Sequence, residues 1–373
     1  MPEQWRTVTR LEKADFYADW LAKSQENEQI VQRDPCVSYG KDVLYVETVQ
    51  DYKIGMLIGE QVGFPTNGTN LCRAFLPAGH HTGKHRHGEE AIHILAGEGV
   101  LLLDDRRYDF HAGTTIHIPY FGTHQLFNTG KTEVSYITAM AMDLDLFVRL
   151  GRLEQIEEKG ANQPGFEAAF PAQESELDPK GRRIVLHIED APDEQKRRDE
   201  IAKAKRAEAE ARGETAESHG HGHGHGHGHE EPAAKKGRGA ANQNPHRHGQ
   251  ILILMGGGES PSPERNGFTA VSVAMTNIFE EVPHTSSHLH SHTEAVLYVL
   301  EGIGFSEVDY EHYDWQAGDA VHVTPKMTRH EHFNPSDLRT RTLRIEYGIR
   351  YFYEPLWDGY EKVEHRETAI ARP

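Results

Sequence analysis

The sequence predicts a mainly β protein that contains two copies of one small antiparallel barrel, and two observations support this prediction. Short apolar runs punctuated by Gly and Pro begin near residue 68 and return after residue 250, as in AIHILAGEG and AVLYVLEG. Such runs are typical of short antiparallel strands. The two stretches also repeat each other in register, as shown by His85/His290, His87/His292, Glu89/Glu294, Gly97/Gly302, His117/His322 and, after one inserted residue, His124/His330 and Asn128/Asn334. Repeated identities of this kind indicate a duplicated supersecondary unit.

The length of 373 residues allows two or three domains. Changes in composition along the chain suggest where each domain begins and ends. The predicted divisions are a helical N-terminal arm (1–60), a first barrel with a following segment (61–189), a charged helix with a His/Gly-rich linker (190–245), a second barrel (246–355) and a tail (356–373).

The arm and the linker are predicted from their side-chain patterns. In the arm, Phe16, Trp20 and Ile30 stand among charged residues, which indicates a moderately amphipathic helix. The segment DEQKRRDEIAKAKRAEAEARGE has almost no apolar face, so we expect a solvated helix there. Histidine then alternates with glycine from His219 to His229. We interpret this tract as a compositional linker, disordered for the most part, with loose metal storage as the alternative.

Three glycines of the first copy mark expected chain reversals. Gly97, Gly99 and Gly113 stand between apolar runs, where short strands must turn. Glycine adopts positive φ at little cost, which such turns require.

Charge and cysteine content exclude several classes of function. The chain has 40 Lys and Arg against 58 Asp and Glu, a formal charge of -18, so nucleic acid is not an expected partner. Two cysteines are too few for a disulfide framework and suit a reducing compartment. The sequence has no run of 18 apolar residues and no signal-like start. We therefore expect a cytoplasmic protein without membrane contact.

The histidines carry a family resemblance. A His-x-His pair, an acidic residue, a Gly about ten positions later and a Gly-x5–6-Pro-x4-His-x3-Asn stretch occur in both copies. This pattern resembles the two motifs of the cupin superfamily, so the chain resembles a bicupin with double-stranded β-helix (jelly-roll) barrels. The resemblance covers about residues 68–145 and 265–350.

Strand geometry indicates a metal site in the first copy. Side chains at i and i+2 of a strand share a face, so His85 and His87 can point into the barrel together. His124 follows on a later hairpin, and Glu90 completes a mixed imidazole and carboxylate set. Only two residues separate His87 from Glu90, which is fewer than cupins usually have. Such a set suits Fe(II), Mn(II), Ni(II) or Zn(II).

The second copy offers His288, His290 and His292 in alternation, together with His330. The repeat offset favours His290 with His292, whereas the usual cupin spacing favours His288 with His290. Ala295 stands where the first copy has Glu90, so we expect a site of three histidines.

The second copy's missing glutamate and its HEHFN segment resemble gentisate and hydroxynaphthoate dioxygenases. This resemblance implies an Fe(II) oxygenase that oxidises or cleaves a hydroxylated aromatic acid with O2, working in the N-terminal cupin as a homo-oligomer. Another cupin metalloenzyme, such as a Mn decarboxylase or an isomerase, and a metal-dependent binding protein are the alternatives. The polar residues considered as substrate contacts are Arg73, His93, His117, Gln125, His322, His332 and Arg344.

Overall fold

The computed structural model describes residues 16–31, 35–150, 152–211, 248–255, 266–287, 289–325 and 328–349. It contains three α-helices: along the chain, the first precedes all the described strands, the second follows the eleventh of them and the third precedes the fifteenth. They are α1 (Phe16–Val31), α2 (Met142–Phe147) and α3 (Glu194–Ala211). The mainly β prediction and the two jelly-roll barrels are confirmed.

Fourteen strands precede α3 in the described part of the chain. They are β1 (Val37–Ser38), β2 (Lys53–Ile58), β3 (Asn70–Leu76), β4 (His80–His81), β5 (Lys84–Arg86), β6 (Glu90–Ala96), β7 (Glu98–Leu103), β8 (Arg106–His111), β9 (Thr115–Ile118), β10 (His124–Asn128), β11 (Val134–Met140), β12 (Glu154–Glu157), β13 (Gly160–Ala161) and β14 (Val185–Leu186).

Ten described strands follow α3. They are β15 (His248–Ile253), β16 (Val273–Glu281), β17 (Thr285–Ser286), β18 (His290–His292), β19 (Ala295–Glu301), β20 (Ile303–Val308), β21 (Glu311–Gln316), β22 (Ala320–Val323), β23 (Thr328–Asn334) and β24 (Thr340–Tyr347).

Each domain is a sandwich of two antiparallel sheets. In the first domain, one sheet has the order β14-β9-β6-β11-β3-β2, and the other combines β12-β5-β10-β4-β13 with β7 and β8. In the second domain, the order β1-β22-β19-β24-β16-β15 faces a sheet made of β17, β18, β23, β20 and β21. The order of the six-stranded sheet therefore recurs in both domains, as the repeat predicts, whereas β12 and β13 extend the other sheet of the first domain only.

The six-stranded sheets of the two domains pack against each other. Strand alternation gives each sheet two apolar faces, one towards its own barrel and one towards the other domain. Ile92 and Ile116 belong to the first barrel's interior. Ala91 and Ile137, on the opposite face, form one buried cluster with Ile345 of the second domain. The residues of β6 and β11 that alternate with the barrel-facing ones, such as Ala91 and Ile137, therefore point into the domain interface.

The N-terminal region differs from the predicted helical arm. Helix α1 lies in it, but residues 35–58 contain two strands. β1 pairs with β22 of the second domain, where Val37 lies opposite Val321. The equivalent place in the first domain is taken by β14, which pairs with β9. A short segment from before the first barrel thus completes the second domain's sheet.

Two of the three marked glycines have the expected backbone. Gly97 has φ 86° and Gly113 has φ 87°. Gly99 is different because it lies inside β7, and a Cβ there would stand 2.2 Å from the Phe127 carbonyl oxygen. Its role is close approach of two strands and not chain reversal.

Several predictions concern residues that the structure does not describe. These include the His/Gly tract, His288 and the tail after residue 349. Of the described helices, none is long and apolar enough to cross a membrane. Cys36 and Cys72 are both buried, and they do not form a disulfide.

Candidate metal centres

Three histidines and a glutamate meet inside the first barrel. Their ligand atoms, from His85, His87, Glu90 and His124, all lie within 4.8 Å of one another, and all four residues are buried. The register of the sheet produces this convergence, because His85 on β5 lies directly opposite His124 on β10. Glu90 begins β6 on the adjoining sheet. The structure thus brings together the four residues that the sequence singled out in the first copy.

Hydrogen bonds orient two of the imidazoles. The Nδ1 atoms of His87 and His124 lie 3.1 Å from the Gly88 carbonyl and 2.9 Å from the Gly122 carbonyl. A carbonyl only accepts, so each Nδ1 carries the proton and each Nε2 presents a lone pair to the centre of the cluster. The Nε2 atoms of His87 and His124 lie 3.3 Å and 3.1 Å from Glu90 Oε2.

The cluster contains buried polar atoms that lack hydrogen-bond partners. They include Glu90 Oε2 and His124 Nε2, which face each other. Leaving such atoms unpaired costs free energy, and a bound cation would satisfy them. The donor set of three imidazoles and one carboxylate is also one that Fe(II), Mn(II), Ni(II) and Zn(II) accept. The residues present therefore fit a divalent transition metal.

The electrostatics of the cluster keep the His85 imidazole neutral. Burial, with His124 and His87 nearby, lowers the pKa of His85 to about 2. Near neutral pH, His85 is therefore unprotonated, as a metal ligand must be.

The turn between the ligands is tight. Gly88 separates His87 from the two glutamates, and a Cβ at Gly88 would lie 2.0 Å from Asp145 Oδ2. Asp145, on α2, also accepts a hydrogen bond from Tyr120. Glycine at this position lets α2 close over the ligand turn.

The second barrel holds a cluster of three histidines. The ligand atoms of His290, His292 and His330 lie within 4.8 Å of one another. His290 lies opposite His330 in the pairing of β18 with β23. The Nδ1 atoms of His292 and His330 face the carbonyls of Thr293 and Thr328, so both Nε2 atoms point inward, 3.1 Å apart. These are the histidines that the repeat offset favours, and His288 lies outside the described residues.

The interior of the second barrel differs in charge from the first. Ala295 occupies the position of Glu90, but a different carboxylate, that of Glu346, lies directly opposite Ala295 on β24. Glu346 is buried, and its Oε1 lies 2.7 Å from Nη2 of Arg344. His332 lies near His290 and His330, and its Nδ1 is 2.7 Å from Ser306 Oγ. Burial, with His290 and Arg344, lowers the pKa of His332 to about 3.

Five other residues considered as substrate contacts lie away from the metal clusters. Gln125 is on the outer face of β10, where its amide donates to the Thr82 carbonyl. Arg73 and His93 lie on the interface faces of β3 and β6, and His93 Nδ1 is 2.9 Å from Thr115 Oγ1. His117 and His322 bind Glu89 and Glu294 in the domain interface. Strand alternation explains this placement, because each residue is out of phase with the ligands.

Sequence reasoning missed three polar residues beside the first cluster. Thr138 donates a hydrogen bond to Glu90. Tyr136 Oη donates to Asp51 Oδ1 over 3.2 Å. Burial, with the nearby Glu90 charge, raises the pKa of Asp51 to about 6. The alternation of β11 places Tyr136 and Thr138 on the inner face, which is the only signal that could have found them.

The buried histidines predict acid sensitivity. Burial, with Arg341 nearby, lowers the pKa of His93 from 6.5 to about 4. Between those pH values the unfolded chain binds the extra proton, so the free energy of unfolding falls as pH falls, by up to about 1.4 kcal/mol per pH unit for each such histidine. His85 and His332 act in the same direction, and Asp51 acts against them.

We expect His93→Gln to weaken the dependence of the free energy of unfolding on pH. Denaturant unfolding of the chelator-treated protein at pH 7, 6 and 5 measures it. The exposed His284→Gln variant is the control and should keep the wild-type slope. If His93→Gln shows the same pH dependence as the wild type, His93 does not contribute to the acid sensitivity.

Comparison with known proteins finds a match within each barrel. Residues 73–140 and 278–346 each match the family model described as a cupin domain. The fold is similar to that of a salicylate 1,2-dioxygenase from Pseudoaminobacter salicylatoxidans solved with gentisate, with TM-score 0.52, 12% identity and 94% of each chain covered. It is also similar to Bacillus subtilis oxalate decarboxylase, with TM-score 0.53, 11% identity, and 84% of this chain and 78% of that chain covered. At such identities these likenesses concern the fold.

A curated relative matches a smaller part. An uncharacterized protein of Methanocaldococcus jannaschii is 33% identical over 70 residues, which is 18% of this chain. The match spans 56% of that protein's own length.

Proposed function

The chain carries two cupin domains, a bicupin arrangement, and from that premise we propose that it is a metal-dependent enzyme acting on a small organic acid. One observation carries the proposal. In the first barrel, three imidazoles and a carboxylate converge, and two of their buried polar atoms, Glu90 Oε2 and His124 Nε2, have no other hydrogen-bond partner. A metal site explains both the convergence and the unpartnered atoms.

The proposed metal holders are His85, His87, Glu90 and His124. When bound there, a divalent transition metal supplies Lewis acidity and coordination positions for an acid substrate and O2. The protein's own residues orient the ligands and can hold a proton. Thr138 holds one oxygen of Glu90 and so fixes the direction of the other. Asp51, with a pKa of about 6, can hold or release a proton near neutral pH at its carboxyl oxygens, beside the Tyr136 hydroxyl.

For the second barrel we propose metal binding through His290, His292 and His330, with Arg344 attracting an anion. The guanidinium lies close enough to lower the pKa of His330 and His332. Glu346, which pairs with Arg344, supplies a carboxylate from β24. In the first barrel the carboxylate of Glu90 lies on β6, which is equivalent to β19, the neighbour of β24. The second site therefore differs from the first in charge and, we propose, in role.

Within this class, our first candidate is an Fe(II)-dependent oxygenase that oxidises or cleaves a hydroxylated aromatic acid with O2. The three-histidine set of the second copy supports it, because neutral ligands leave the Fe(II) charge available to an anionic substrate. The second candidate is a Mn(II)-dependent decarboxylase. Its support is Glu90 in the first ligand set, since a carboxylate favours harder ions such as Mn(II).

Metal analysis of anaerobically purified protein, followed by assays of the reconstituted enzyme, tests the proposal. We expect bound Fe or Mn and turnover that a chelator abolishes and the same metal restores. Oxygen uptake with salicylate or gentisate supports the oxygenase, and CO2 release from oxalate without net oxygen uptake supports the decarboxylase. Protein that binds neither metal nor any of these acids would contradict the proposed function.

We also propose a homo-oligomer, as the resemblance implies. Exposed apolar side chains beside the first barrel support it, among them Phe147 at 83% and Leu150 at 63% exposure. Light scattering at micromolar concentration should give at least twice the chain mass, and a monomer would contradict this proposal.

A further inference from the structure

Two buried glutamate–histidine pairs lie in the domain interface, and the internal repeat relates them. Glu89 Oε1 is 2.8 Å from His117 Nε2, and Glu294 Oε1 is 3.0 Å from His322 Nε2. The four side chains are at most 3% exposed. Neither pair belongs to a metal cluster. Burying a carboxylate is costly unless it is well paired, so these pairs need an explanation of their own.

The remaining partners of Glu89 come from the other domain. Its Oε2 accepts hydrogen bonds from the backbone N–H groups of Val271 at 2.9 Å and Val273 at 3.2 Å. Ser272 donates to the same oxygen through both its N–H and its Oγ, the latter at 2.9 Å. The carboxylate of the first domain is thus held by a three-residue segment that leads into β16 of the second domain.

The second pair makes the reverse connection. Glu294 Oε2 accepts from the Asn67 N–H at 3.0 Å, and Oε1 accepts from Thr69 Oγ1 at 2.9 Å. Both donors precede β3 of the first domain. An aromatic ring from the opposite domain covers each histidine: Phe268 lies 6.2 Å from His117, and Phe64 lies 5.8 Å from His322. The two connections are therefore reciprocal and repeat each other in detail.

Both glutamates stand inside the metal-ligand turns. Glu89 lies between His87 and Glu90, and Glu294 lies two residues after His292. Neighbouring residues of a strand point to opposite faces, so a Glu89 fixed in the interface directs Glu90 into the barrel. Three N–H groups and one hydroxyl group of the second domain donate hydrogen bonds to the Glu89 carboxylate.

We propose that Glu89 and Glu294 are positioning residues through which each domain holds the metal-ligand turn of the other. The first metal site then depends on residues 271–273 of the second domain, and the second site depends on residues 67–69 of the first. Each metal site therefore depends on its own set of contacts from the other domain, although the ligands of the two sites do not touch. The metal-affinity part of this inference rests on the proposed metal binding.

Co(II) titration of the full chain tests the inference, because the Co(II) spectrum reports the ligand set. In a His290→Ala/His330→Ala background, which leaves only the first site, we expect Glu89→Gln to weaken Co(II) binding by about 10-fold and to alter the spectrum. Ser272→Ala, a change made in the other domain, should weaken it by a smaller factor. Ser135→Ala, which removes another buried serine hydroxyl, is the control and should leave binding unchanged.

The mirror experiment uses the His85→Ala/His87→Ala background, which leaves only the second site. There Glu294→Gln and Thr69→Ala should weaken Co(II) binding, whereas Glu89→Gln and Ser272→Ala should not. Unchanged affinity and spectrum in all four variants would overturn the inference. So would equal losses at both sites in every variant, since that result indicates general destabilisation.

Amide hydrogen exchange of the metal-free protein tests the positioning without any metal. Ser272→Ala should speed exchange in peptides covering 84–96 and leave those covering 290–301 unchanged. Unchanged exchange in 84–96 would overturn the inference. Failure of the wild-type protein to bind Co(II) counts instead against the proposed function, and the exchange result then decides the positioning role alone.

Discussion

Replacing His85 and His87 together by alanine is expected to remove nearly all turnover. These residues supply two of the four converging ligands of the first site, and alanine offers no donor in their place. Lewis-acid stabilisation worth several kcal/mol would be lost, which corresponds to a decrease in kcat of about a thousand-fold or more. Metal content per chain, circular dichroism and turnover measured on the same preparation check this result.

Two double variants complete the comparison. His290→Ala/His330→Ala should empty the second site while leaving a folded protein with partial activity. His111→Ala/His187→Ala removes a stacked pair of histidines from the first domain's surface and should change neither metal content nor turnover. Near-complete activity in both site variants, each folded and depleted of metal at its own site, would show that neither metal is catalytic.

The convergence of the first ligand set could be anticipated from the sequence because it follows from local rules. The i and i+2 spacing of His85 and His87 predicts a shared face, and the repeat supplies the same spacing at His290 and His292. In the structure His85 lies on β5, and His87 follows the end of that strand. The repeat offset favoured His290 with His292, whereas the usual cupin spacing favoured His288 with His290, and His288 lies outside the described residues. The two-barrel fold followed from the same identities.

The placement of His117 and His322 could not be anticipated, because alternation alone leaves the phase of a short strand open. Their phase is set by packing between the domains, which buries the outer faces of both six-stranded sheets. For the same reason, the pairing of β1 with the second domain is invisible in a local pattern. The carboxylate of Glu346 was missed because it lies on a different strand from Glu90 and faces Ala295 only through sheet register.

Glu90→Gln is expected to change metal binding and metal-free stability in opposite directions. In the metal-free protein, Glu90 Oε2 lies 3.1 Å from His124 Nε2 and 3.3 Å from His87 Nε2, and both nitrogens present lone pairs. Three acceptors facing one another repel unless a cation lies between them. A glutamine amide donates to such a nitrogen at nearly the same size, so unfolding of the metal-free variant should require at least as much denaturant as the wild type.

Metal binding should respond in the other direction. The variant loses a unit negative charge and a hard oxygen ligand, so Mn(II) affinity at the first site should fall by about 100-fold, or about 2.7 kcal/mol. Glu346→Gln, the matched change in the second barrel, should leave first-site affinity unchanged. A Glu90→Gln variant that is less stable without metal and binds Mn(II) normally would mean that Glu90 serves as a structural counter-ion for a protonated histidine. That pair of results would remove the carboxylate from the proposed metal site, because a ligand placed for a cation costs stability when the cation is absent.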